Sequence, residues 1–222
     1  MCAHASNICP ATLPLAAIGR LCHAHGALFA VDAAQSAGVL DINMEEMQID
    51  ALAVPGHKGL YGPMGVGMLL LGKGIRPDTL LEGGNGLDSL SGGMGDDLPE
   101  RYEPGTLPLP AIAGLRAGIE FVRRVTPEAI REKETALGVF LRDALTEVPG
   151  VHVAVPHLAG GTVLFRADGV SSEDIAARLD AAGSGICVRP GFHCAALAHR
   201  TLGTPEGGAV RASFGWFNPR RD

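Results

Sequence analysis

The sequence predicts an α/β protein, with a larger unit built on a mostly parallel sheet and a smaller α/β unit after it. Two apolar runs without alternation, Ala27-Leu28-Phe29-Ala30-Val31 and Ala51-Leu52-Ala53-Val54, suit strands covered on both faces. A helical pattern precedes the first run, the alternation that builds parallel sheets. Past residue 125 strand and helix patterns alternate again, in shorter pieces.

Taken in order, Pro14 to His25 spaces Leu15, Ile18, Leu21 and Cys22 at helical intervals, with Pro14 in a first-turn position and Gly26 as the stop. The strands at 27–31 and 51–54 follow, separated by a stretch containing Met44, Met47 and Ile49. Gly67-Met68-Leu69-Leu70-Leu71 is apolar throughout and is expected to be a further buried strand. Residues 82–105 form a loop rich in Gly, Asp and Ser, and loops this long are usually functional or disordered. Helices are expected at 109–124 and 127–148, with Pro127 marking the break. A strand at 162–165, a helix at 171–182 that starts around Ser172 and Glu173, and strands at 186–188 and 209–214 complete the chain. The boundary falls near residue 125, giving units of 1–125 and 126–222. No internal repeat is visible.

The chain has 222 residues, 46% of them apolar and 19% charged, which suits a globular protein and excludes wholesale disorder. Its net charge of −6 argues against a nucleic-acid surface, which needs a basic face. No apolar run approaches the ~18–20 residues of a membrane helix, and the N-terminus lacks a secretion signal. The expected location is cytoplasmic. Five cysteines, Cys2, Cys9, Cys22, Cys187 and Cys194, lack disulfide-framework spacing and read as reduced thiols.

The chemistry lies where the first two strands stop. One delivers Asp32 and, shortly after, Gln35; the other delivers Lys58 inside Gly56-His57-Lys58-Gly59. Open α/β sheets bind ligands at the carboxyl edge of their parallel strands. An acid and an amine placed there suit pyridoxal 5'-phosphate, whose aldehyde joins a lysine while its pyridinium nitrogen takes a carboxylate. The plain alternative for Asp32 is a turn-capping aspartate, and for Lys58 a surface lysine.

Five separated segments resemble class V aminotransferase-like enzymes of the cysteine desulfurase type. They are Ala5-Ser6-Asn7, Val31-Asp32-Ala33-Ala34-Gln35-Ser36-Ala37-Gly38, Gly56-His57-Lys58-Gly59, Tyr102-Glu103-Pro104-Gly105-Thr106, and Val188-Arg189-Pro190-Gly191-Phe192-His193-Cys194. The resemblance implies a fold-type-I pyridoxal-phosphate enzyme, with 1–125 as part of its large cofactor-binding domain and 126–222 as its small C-terminal domain. It implies that Lys58 carries the cofactor and moves the substrate α-proton. Asp32 would meet the ring nitrogen, Gln35 the phenolic oxygen and His57 the phosphate. Thr106 would donate to the phosphate of a neighbouring subunit, and the plain alternative for it is a helix N-cap.

By the same resemblance Arg211 clamps the substrate carboxylate, and Asn7 is a polar contact near cofactor and substrate. Arg189 is a second guanidinium suited to a carboxylate. Cys194 accepts sulfur, with His193 and Arg189 as nearby cations that favour a thiolate; the plain alternative is a buried structural cysteine. Cys2, Cys9, Cys22 and Cys187 are expected to be structural. A zinc site from His193, Cys194 and His199 lacks a second ligand pair at usable spacing.

The sequence departs from the family in two respects. Pro55 stands where a serine or threonine often supplies a phosphate donor. The family's glycine-rich phosphate loop and ring-stacking residue belong to roughly 150 residues before this segment, and its final helix is also missing, so the chain is expected to be a fragment. The implied activity takes sulfur from L-cysteine as an enzyme persulfide and releases alanine. The implied assembly is a homodimer, with a possible sulfur-acceptor protein as partner. Alternatives are selenocysteine lyase, a class V transaminase or epimerase that would not need Cys194, and a non-catalytic remnant that dimerises without cofactor.

Overall fold

Four strands make the larger sheet: β1 (Cys2–Ala3), β2 (Ala30–Asp32), β3 (Ala51–Pro55) and β4 (Gly67–Leu71), in that spatial order. The computed structural model describes residues 1–86, 93–181, 185–204 and 206–219. Strands β1, β2 and β3 run parallel, and β4 returns antiparallel along β3. Helix α1 (Leu15–Ala24) connects β1 to β2 and turns Leu15 and Gly19 inward. Phe29, Val31, Leu52 and Val54 form the core beneath this sheet with Leu15, Leu60 and Leu115.

Strand β4 corrects an expectation. It was expected to be buried, but Leu69 and Leu70 are exposed. Among the described residues it is an edge strand, paired only with β3. The long loop at 82–105 carries a short 3-10 turn at Glu100–Tyr102, and its residues 87–92 lie outside the described residues.

Helix α2 (Leu109–Val125) closes the first sheet, and α3 (Pro127–Thr146) packs on the second. Thr126 separates them with a φ of 79°, and its hydroxyl caps α3 by accepting the Ala129 N–H at 3.2 Å. The second sheet is antiparallel, ordered β5 (Val151–Val153), β6 (Thr162–Ala167) and β7 (Val210–Ser213). Helices α4 (Ser172–Ala181) and α5 (Ala196–Thr201) lie between β6 and β7 in the chain. Phe165, Val210 and Ala212 pack with Leu141 and Leu145 of α3 and Ile175 of α4.

The expected strand at 186–188 is absent, and only Arg189 bridges to Arg211. The pairing resumes past Pro190, where Gly191 O accepts the Ala209 N–H at 3.2 Å. Strand β5 and helix α5 were not expected, being short and without a complete period.

Helix α3 lies so close to the second sheet that a Cβ on Gly138 would sit 1.9 Å from the Gly160 carbonyl oxygen. Gly138→Ala should therefore lower the unfolding free energy by about 2 kcal/mol through overpacking. Urea denaturation checks this, and an unchanged midpoint would show that the contact is not tight.

Candidate active site

The site begins at the carboxyl ends of β2 and β3. Asp32 ends β2, and its Oδ1 accepts the Ala34 N–H at 2.8 Å, which starts the turn that holds Gln35. The turn after β3 carries Lys58 and is closed by Tyr61 N–H to Lys58 O at 2.9 Å and Gly62 N–H to Gly56 O at 2.8 Å. These two turns touch through glycines. A Cβ on Gly38 would lie 2.1 Å from Gly59 O, and one on Gly59 would lie 2.3 Å from Ala37 O. Gln35 and Lys58 are thus set on one wall by backbone contact.

The opposite wall comes from the second sheet. Arg189 and Arg211 exchange backbone hydrogen bonds at 3.0 and 2.8 Å. The Arg211 Nη1 donates to Asn7 O at 2.9 Å, and Asn7 Nδ2 donates to His193 O at 2.6 Å. Arg211 Nε is buried and has no hydrogen-bond partner among the described residues. Burial, and then the charge of Arg189, lower the Arg211 guanidinium below its ordinary value. An unpaired buried guanidinium N–H is costly, and other parts of the same side chain line a cavity.

That cavity is about 850 Å³ and is lined by Asn7, Gln35, Lys58, Arg189, His193, Cys194 and Arg211 among others. Asp32 is not among its lining residues, though Ala34, whose N–H it accepts, is. His57 and Thr106 are exposed and lie outside it. Thr106 is not the N-cap of α2 either, because that position is Pro108, which makes no side-chain cap.

Cys194 is exposed, with Sγ 3.9 Å from Arg189 Nη2. His193, the other expected cation beside it, is corrected. Its imidazole is buried and bonded at both nitrogens, to Arg189 O at 2.8 Å and to His199 Nε2 at 3.0 Å. Burial lowers its pKa, which favours the neutral ring. The two imidazoles of the zinc alternative thus bond directly to each other. His193 and Cys194 have φ values of 55° and 59°, a left-handed backbone costing on the order of 1–3 kcal/mol per non-glycine residue. Cys187, expected to be structural, is exposed, whereas Cys9 is buried and Cys2 and Cys22 are half-buried.

Glu134 of α3 and Tyr61 also line the cavity. No local sequence signal marks Glu134, since only the approach of α3 to Gly161 brings it there. Tyr61 Oη accepts the Trp216 N–H at 3.1 Å, and its ring packs edge-on against Phe121 and Phe217. The chain after β7 is thereby tied to the Lys58 turn.

An amine and an amide just past the ends of parallel strands share a cavity with two guanidinium groups and a thiol, which suits an anionic small molecule. The sequence pattern of the aminotransferase class-V family matches residues 1–222, and the chain belongs to that family. A protein named "Probable cysteine desulfurase" from Methanothermobacter thermautotrophicus is 34% identical over 97% of this chain and 55% of its own length. The apo cysteine desulfurase from Thermococcus onnurineus NA1 superposes with a TM-score of 0.82 at 33% identity, over 98% of this chain and 55% of that one. The cysteine desulfurase CsdA (S-sulfonic acid) from Escherichia coli gives a TM-score of 0.88 at 27% identity, over 99% of this chain and 55% of that one. The chain spans about half the length of the curated relatives it matches. Among the described residues no helix is long and apolar enough to cross a membrane.

Burial pushes the Glu134 carboxyl from 4.5 up to about 7. A raised carboxyl pKa means that the fold holds the proton more tightly than the unfolded chain does. Stability is then full below about pH 4.5 and falls as the pH rises toward about 7. The loss should be about 1–2 kcal/mol, discounted from the full shift because the side chain is partly exposed. Urea midpoints at pH 4.5 and 7.5 should diverge for the unmodified chain, and Glu134→Gln should remove this contribution. Equal pH dependence in both proteins would contradict the assignment.

Proposed function

We propose that this site is the Lys58-centred half of a pyridoxal-phosphate cysteine desulfurase that takes sulfur from L-cysteine onto Cys194. The observation that carries the reading is the exposed Cys194 thiol beside Arg189, on the same cavity as Lys58 and Arg211. The residues fit the cofactor's aldehyde and ring ends: Lys58 for the aldehyde, Asp32 for the ring nitrogen and Gln35 for the phenolic oxygen. When bound, pyridoxal phosphate supplies an electron-withdrawing ring that makes the substrate α-proton removable.

Arg211 holds the substrate carboxylate through Nε and its terminal nitrogens, with the Arg189 charge nearby. Asp32 would keep a proton on the ring nitrogen of the bound cofactor, and Lys58 Nζ would take and return the substrate α-proton. The Cys194 sulfur attacks the substrate sulfur, so that a sulfur–sulfur bond forms as the carbon–sulfur bond breaks. The carbon keeps that electron pair and takes a proton, giving alanine and leaving a persulfide on Cys194. His57 and Thr106 belong to the phosphate end of the reading, with Thr106 reaching a second subunit of a homodimer. Asn7 holds Arg211 and the His193 backbone, and from the cavity wall it serves in this reading as the polar contact near cofactor and substrate.

The units 1–125 and 126–222 serve in this reading as part of a large cofactor domain and as a small domain. A cytoplasmic location and a protein acceptor for the persulfide sulfur also belong to it. Selenocysteine fits the same apparatus. A transaminase or epimerase is disfavoured by the placement of Cys194, and a cofactor-free remnant by the Lys58 and Arg211 arrangement.

Incubation with pyridoxal phosphate followed by borohydride should fix pyridoxyl mass on the Lys58 peptide; label confined to Lys73 or Lys133 would sink the cofactor site. Cys194→Ser should retain that label yet lose alanine release from L-cysteine by about a thousand-fold, because a hydroxyl is a poor nucleophile at neutral pH. Undiminished alanine release would remove the desulfurase reading.

A further inference from the structure

We propose that His199 is a positioning residue for Cys194, acting through His193. The proposal rests on the reading of Cys194 as the sulfur-accepting nucleophile. His199 lies on α5, five residues beyond Cys194, and is 1% exposed, with His193 at 4%. Their rings are nearly parallel, inclined by 17°, with His193 Nδ1 3.0 Å from His199 Nε2. His199 Nδ1 lies 2.8 Å from the Thr204 hydroxyl, and His193 Nε2 lies 2.8 Å from Arg189 O.

The direction of these bonds follows from one fixed acceptor. A carbonyl oxygen only accepts, so His193 Nε2 carries a proton and donates it to Arg189 O. In the neutral ring Nδ1 is then an acceptor, and it takes the proton of His199 Nε2. His199 Nδ1 is left as an acceptor and takes the Thr204 hydroxyl proton. The Thr204 hydroxyl also approaches His199 O at 3.2 Å, but sending its proton there would leave Nδ1 without a donor. Every polar atom of the two buried rings is satisfied in this one arrangement.

The chain of bonds grips the residue that needs it. His193 and Cys194 are consecutive in the left-handed region, so the backbone at the thiol is strained and must be held from outside. His199 fixes the His193 ring on one side and Arg189 O fixes it on the other, while Asn7 grips the His193 carbonyl. The edge of the Phe192 ring also packs on His199, with centroids 5.5 Å apart. The outcome is that Cys194 Sγ faces Arg189, whose charge stabilises a developing negative sulfur. Burial lowers the pKa of both histidines, and the Arg211 and Arg189 charges add to this at His193, so the neutral relay is favoured at neutral pH.

The test reads the thiol and not the reaction. The rate of alkylation by iodoacetamide is followed at the Cys194 peptide in the unmodified chain and in two variants. His199→Phe keeps a ring without the donor and should slow Cys194 about five-fold, the scale of one lost buried hydrogen bond. His199→Gln places an amide N–H near the lost Nε2 and should restore the rate. An unchanged or faster rate in His199→Phe, or no rescue by His199→Gln, would overturn the proposal. Should either variant fail to fold, imidazole NMR of the unmodified chain decides. A His193 proton on Nε2 with Nδ1 unprotonated is expected at neutral pH, and the opposite tautomer would overturn the proposal. A thiol that depends on His199, together with undiminished alanine release in Cys194→Ser, would refute the desulfurase reading and leave the positioning role standing.

Discussion

Asn7 joins two sheets that share no strand. The chain leaves β1 alongside Asp32 and, within a few residues, reaches the second sheet, where Ile8 is fully buried with Leu164 and Ala209. At that crossing Asn7 gives its side-chain N–H to His193 and its carbonyl to Arg211. Without this crossing the amine of Lys58 and the thiol of Cys194 would belong to separate surfaces. The Trp216 N–H on Tyr61 adds a second tie from the far end of the chain. Both ties are long-range, and the cavity is their product.

Each wall is stiff for its own reason. On the Lys58 side the stiffness is steric, because Gly38 and Gly59 leave no room for a side chain between the two turns. On the Cys194 side it is polar, since a strained backbone is held by hydrogen bonds to Asn7, Arg189 and His199. Placing a buried guanidinium with an open N–H between these walls costs stability.

Apolar runs were enough to read β2, β3, β6 and the long helices from the sequence, although β2 begins only at Ala30 and Leu28 of its run is exposed. β4 shows the limit: Leu69 and Leu70 have the composition of a covered strand, yet composition does not say which strand ends a sheet. Among site residues, Lys58, Gln35, Arg211 and Cys194 were legible as types at the ends of elements. What each side chain touches was not. His193 precedes Cys194 in the chain yet turns into the core to meet His199, a contact set by the left-handed backbone and by α5. Glu134 was missed because its neighbours, Gly161 and Tyr61, are distant in sequence.

The central claim is that Lys58 and Cys194 face one cavity. The chain has three lysines, Lys58, Lys73 and Lys133, so a short crosslinker reactive toward one thiol and one amine has few choices. Peptide mapping of the crosslinked, folded chain should find Cys194 joined to Lys58. Cys194 joined only to Lys73 or Lys133, with Lys58 modified but unlinked, would contradict the shared cavity.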